Sequence, residues 1–73
     1  MIVHVTVDQQ GVDGFGFGEE MKRFRQLRAQ ANASRGMEYW ECEILEEERK
    51  KLLDMFEDGK FQELKKWLQG KRL

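Results

Sequence analysis

One histidine and one cysteine, His4 and Cys42, are the side chains of this sequence best suited to nucleophilic or metal chemistry. A nucleophile needs a base within hydrogen-bond reach, so the two would have to share one face of neighbouring strands. Cys42 alternates with Trp40 and Ile44, which is the setting of an inert buried cysteine. His4, beside Thr6, reads as a histidine on the rim of a sheet. With no cluster of histidine and cysteine, a structural zinc is not expected. Neither a catalytic group, a metal nor a cofactor is expected. The domain is also too small to enclose a pocket for a small-molecule substrate.

Gly14, Gly16 and Gly18 occupy the position of a phosphate loop, after a strand and before a helix. The spacing is G-x-G-x-G, with Glu19 where a dinucleotide fingerprint has its third glycine. Glu19 and Glu20 would set negative charge where phosphate should bind, and no Lys-Ser or Lys-Thr pair follows. The run reads as a glycine-softened strand or turn.

Three groups suit contact with a macromolecule. Tyr39, Glu41 and Glu43 mark the wet face of a strand and offer an acidic, aromatic-tipped surface to a basic partner. Phe15 and Phe17 belong either to the core or to an exposed apolar patch completed by Ile2. Basic residues gather on a first helix (Lys22, Arg23, Arg25, Arg28) and at the C-terminal end (Lys60, Lys65, Lys66, Lys71, Arg72). The second group follows a helix–turn–helix-like joint at Asp58-Gly59, which permits nucleic-acid binding as an alternative. Glu57, Asp58 and Glu63 place acids around the end that would approach the bases.

These groups need elements to hold them. Glu38 to Leu45 alternates with a period of two, Trp40, Cys42 and Ile44 against Tyr39, Glu41 and Glu43, and reads as a half-buried strand. Met1 to Val7 is β-branched, with Val3, Val5 and Val7 on one face and Ile2, His4 and Thr6 on the other. Asp8 to Gly11 carries the preferences of a type I turn. Val12 to Phe17 then returns as a hairpin strand or remains a loop. In the hairpin register Val7 meets Val12, Val5 meets Gly14 and Val3 meets Gly16, which sets Phe15 and Phe17 beside His4 and Ile2.

A helix is predicted from Glu19 to about Asn32, with Phe17, Met21, Phe24, Leu27 and Ala31 on one stripe. Arg28 falls inside that stripe and must snorkel or find an acid. A second helix runs from Glu46 to about Asp58, burying Leu45, Leu52, Leu53, Met55 and Phe56, with Glu46–Lys50 and Glu47–Lys51 four apart. A third runs from Lys60 to about Gln69 with Phe61, Leu64, Trp67 and Leu68 on one side, and Gly70 to Leu73 should fray. The expected fold is a single α+β domain of order ββαβαα, with a three-stranded antiparallel sheet ordered 2-1-3.

Composition bounds the function. The 73 residues carry 13 basic and 14 acidic side chains, a balance unlike a dedicated nucleic-acid binder or an acidic DNA mimic. One cysteine allows no internal disulfide and fits a reducing, cytoplasmic setting. No membrane span and no signal peptide is expected. A chain this short sits near the limit of a self-sufficient core, which favours a partner or a second copy. The expected role is a non-enzymatic module that regulates or inhibits a larger intracellular protein or complex, with self-association as a homodimer compatible with it. Phage and mobile-element genomes are rich in such chains, so counter-defence or host takeover is the role that size and character suggest.

Overall fold

The computed structural model describes residues 1–18 and 21–73. Glu19 and Glu20, expected to open the first helix, lie outside the described residues, as does the side chain of Met21. The elements are β1 (Ile2–Asp8), β2 (Gly11–Phe17), α1 (Met21–Ala33), β3 (Glu38–Glu43), α2 (Glu48–Glu57) and α3 (Phe61–Gln69). The strands form one antiparallel sheet in the order β2-β1-β3.

β1 is the middle strand, and Val3 through Val7 are all buried. A strand covered on both faces reads as an almost unbroken buried run. Asp8 and Gly11 pair across the hairpin, and Asp8 Oδ1 accepts the Gln10 N–H at 2.8 Å. β3 lies on the other side of β1, with Val3 opposite Cys42 and Val5 opposite Trp40. Val3, Val5, Val7, Trp40, Cys42 and Ile44 face α2 and α3 and pack with Leu52, Leu64 and Leu68 into the main core.

The β1–β2 register differs from the one expected. Val7 pairs with Val12, but Thr6 pairs with Gly14, Val5 with Phe15 and Val3 with Phe17. Asp13 is the extra residue of a β-bulge. One added residue turns every later side chain of the strand to the other face. Phe15 and Phe17 therefore share the valine face and pack against the main core, instead of joining His4 and Ile2.

The opposite face of the sheet is not wet, as alternation in β3 had suggested. Leu27 and Ala31 of α1 are buried there, over His4 and Thr6, and Phe24 is half-buried. Gly14 and Gly16 point to that layer: Arg23 of α1 lies across Gly16 so closely that a Cβ would stand 2.5 Å from Arg23 Cγ.

α2 starts two residues later than expected. Glu46 and Glu47 precede its first turn, so their spacing to Lys50 and Lys51 is not helical throughout and neither pair forms. Glu48 closes the turn instead. Its carboxylate accepts the Leu45 N–H at 2.9 Å and the Lys71 ammonium at 3.1 Å, and these two contacts hold it below the usual carboxylate range. Leu45 and Leu53, expected inside, are exposed, because Leu45 precedes the helix and Leu53 falls on its outer side. α2 ends in a Schellman motif at Gly59 (φ 74°), with Lys60 N–H donating to Met55 O and Gly59 N–H to Phe56 O.

The C-terminal residues do not fray. Arg72 bridges to Cys42, Lys71 O accepts from Glu43 N–H, and Leu73 N–H donates to Glu41 O, each at 2.9 Å for the two backbone bonds. α3 delivers the tail to the outer edge of β3, where strand bonds replace solvent.

Two glycines separate crowding from backbone conformation. Gly11 (φ 119°) lies against the Phe61 backbone, which an added Cβ would overlap, whereas the space beside Gly59 is open. Gly11→Ala is expected to cost roughly 3 kcal/mol or more, through strain and overlap together. Gly59→Ala should cost only about 1 kcal/mol, the left-handed conformation alone. Urea midpoints of the two variants measure the difference.

Candidate functional site

The side chains singled out by sequence fall into two separate layers. Tyr39 and Glu41 lie on the α1 side of the sheet, while Phe15 and Phe17 lie on the α2–α3 side. Glu43 is at the end of β3, exposed, with one carboxylate oxygen 2.9 Å from the N-terminal ammonium.

On the α1 side, His4 is buried, not a rim residue, and both its ring nitrogens have partners. Nε2 is 2.7 Å from Gly18 O, and a carbonyl only accepts, so Nε2 carries a proton. Nδ1 is 2.6 Å from the Tyr39 hydroxyl, which also lies 3.1 Å from Glu41 Oε1. The phenol has one proton for these two neighbours. Burial first, then the charge and hydrogen bond of Glu41, push the Tyr39 phenol above its ordinary range. Phe24 stands edge-on to both His4 and Tyr39, with centroids 5.5 Å and 5.3 Å away, and closes the row from above. Among the described residues no buried side-chain nitrogen or oxygen lacks a partner.

Cys42 is on the other face, donating to Leu68 O at 3.4 Å, and burial pushes its thiol up to about 11. His4 and Cys42 therefore do not meet: alternation on adjacent strands sends one up and the other down. The described residues hold no group of three or more histidine, cysteine, aspartate or glutamate side chains placed for a metal.

A cleft of about 550 Å³ wraps the outer edge of β3. α1 forms one wall with Phe24, Arg28 and Asn32, β3 forms the floor, and Arg72 and Leu73 form the other wall. The Arg28 guanidinium lies 5.7 Å from the Phe24 ring centroid, on the α1 side of the rim. The Arg72 guanidinium lies 4.7 Å from the Trp40 ring, and its pairing with Cys42 puts it on the α2–α3 side. Among the described residues the ion pairs within 4.0 Å are Met1–Glu43 and Lys71–Glu48, so neither arginine has a carboxylate partner. The two acids of the cleft have neutral donors instead, Trp40 Nε1–H for Glu38 at 2.9 Å and Tyr39 O–H for Glu41. Sequence reasoning passed over this pair. The available signal was Arg28, a cation inside an apolar stripe.

Between the two arginines runs unpaired backbone. Leu73 N–H takes the outward-facing carbonyl of Glu41, and Lys71 O takes the outward-facing N–H of Glu43. The same alternation turns the N–H and C=O of Tyr39 outward, just beyond the end of the tail.

The C-terminal cations are not one surface. Lys65 donates to Asp8 O at 2.6 Å, Lys71 is paired with Glu48, and Arg72 is stacked on Trp40, leaving Lys60 and Lys66 exposed. On the α2–α3 side Phe17, Phe15, Phe56 and Phe61 form a continuous row, with centroids 5.4, 5.0 and 5.2 Å apart in succession, and Arg49 lies 4.8 Å from the Phe17 ring.

Tyr39→Phe removes the hydroxyl that joins His4 to Glu41. It should cost about 1–3 kcal/mol, because a part-buried ring nitrogen loses its partner. Chemical denaturation of the two proteins measures the loss.

No family model, curated protein or solved structure matches this chain.

Proposed function

We propose that this chain is a non-enzymatic interaction module that docks on a larger intracellular protein or complex and regulates or inhibits it. The contact is made at the β3 edge, where an extended acidic segment of the partner adds to the sheet beyond Leu73. What supports this reading most is the arrangement of Arg28 and Arg72 on the two sides of one partly unpaired strand edge, neither with a carboxylate partner among the described residues.

Successive side chains of a strand point to opposite faces. A strand laid along Tyr39 would send one side chain up toward Arg28 and the next down toward Arg72. Its backbone would take the free N–H and C=O of Tyr39, the general mode of recognition by strand addition. Both guanidiniums rest on aromatic rings, so little side-chain freedom is lost when they bind. Arginine and aromatic residues are also the usual carriers of interface energy.

Affinity capture from the native host, using the wild-type chain and the Arg28→Glu/Arg72→Glu variant, tests the reading. The wild type should retain one dominant protein, and the variant should lose it by roughly tenfold or more with an unchanged thermal midpoint. Equal retention by both chains, or salt-dependent retention of nucleic acid in place of a protein, would contradict it.

A further inference from the structure

We infer that two copies of this chain pair through the outer edges of β2, antiparallel and in the register Phe15 to Phe15, to form one six-stranded sheet. This contact lies on the opposite edge of the sheet from the docking cleft and does not depend on it.

The ladder itself defines the free edge. Gly18 N–H donates to Ile2 O at 2.9 Å, so the even residues of β2 bond inward to β1. Phe15 and Phe17 therefore turn their backbone groups outward. Phe15 O accepts the Arg23 guanidinium at 2.8 Å and keeps a second lone pair. The N–H groups of Phe15 and Phe17 have no partner among the described residues. The far side of the sheet is already closed along Glu41–Glu43 by the chain's own tail, so self-pairing selects β2.

The occupant is a second copy because the edge complements itself. In the Phe15-centred register, Asp13 of one copy stands opposite Phe17 of the other. Asp13 is exposed and lines a small hollow with Phe56 and Phe61, which puts it on the α2–α3 side. Arg49 is exposed on that same side, over the Phe17 ring, and among the described residues it has no carboxylate within 4.0 Å. Two-fold symmetry then sets Asp13 of each copy beside Arg49 of the other. It also joins the two aromatic rows, whose rings Phe15, Phe17 and Phe56 are only half-buried in one copy. A two-fold interface uses one patch twice, and here the patch carries both signs of charge in mirrored order.

Sedimentation equilibrium over a range of concentrations tests this with the purified chain. The wild type should approach twice the 8.7 kDa chain mass. Asp13→Arg, and separately Arg49→Asp, should each raise the dissociation constant by about tenfold or more, and the Asp13→Arg/Arg49→Asp charge swap should recover most of the loss. A wild type that stays monomeric to about 1 mM, or a dimer that fails either arm of the swap, overturns the proposal. Equal capture of the partner by the wild type and the Arg28→Glu/Arg72→Glu variant, with the dimer intact, would count against the docking cleft alone.

Discussion

One extra residue in β2 decides how the two faces of the sheet are filled. Asp13 has no partner of its own in the ladder, and from Gly14 onward the strand is turned over. The repeat Gly14-Phe15-Gly16-Phe17 then makes physical sense: rings go to the face that α2 and α3 cover, and the residues without side chains go to the face that α1 covers. Without the bulge, two phenylalanines would stand where Arg23 crosses Gly16, and the valine face would lose its outer rings. α1 can lie close to the sheet because the bulge puts glycine beneath it.

The two layers are held by different chemistry. Beneath α2 and α3 the core is valine, leucine, isoleucine and tryptophan, with polar contacts in the weak Cys42 thiol bond and the Trp40 Nε1–H bond to Glu38. Beneath α1 the sheet offers His4, Thr6, Tyr39 and Glu41. Such a surface can be covered only if its polar atoms find partners. They do: His4 to Gly18 and Tyr39, Tyr39 to Glu41, and Thr6 Oγ1 to Gly14 O at 3.3 Å. The polar row therefore defines how α1 sits, while apolar burial on the other face contributes more of the stability. At the rims, the β3 edge is partly closed by the tail, and the outward N–H groups of Phe15 and Phe17 on β2 have no partner among the described residues.

Much of this fold is legible in the amino-acid sequence, for reasons that can be stated. Period-two alternation in β1 and β3 and the helical stripes of α1, α2 and α3 are local signals, and the 2-1-3 order follows from how such elements connect. The β2 register is not local: nothing in Val12-Asp13-Gly14 announces a bulge until α1 and α3 compete for the two faces. The tail is similar, since Lys71 to Leu73 bond to β3 only because α3 has delivered them there. The polarity of Tyr39 and Glu41 pointed to solvent, and a helix resting on a satisfied polar row breaks that inference. For the candidate site, Arg28 was visible as an oddity in its stripe. Its opposite number, Arg72, is distant in sequence and joins it only through the closed fold.

The bulge governs both faces of the sheet, and inter-strand proton contacts measured by nuclear Overhauser spectroscopy test it most directly. In the antiparallel ladder described here, Val5 with Phe15 and Val3 with Phe17 are non-hydrogen-bonded pairs, whose α-protons approach most closely. Strong α-proton contacts between those residues, together with contacts from the Phe15 ring to Phe56, are the predicted result. Contacts of Val5 with Gly14 and Val3 with Gly16, with the Phe15 ring beside His4, would mean an unbroken ladder and contradict the account.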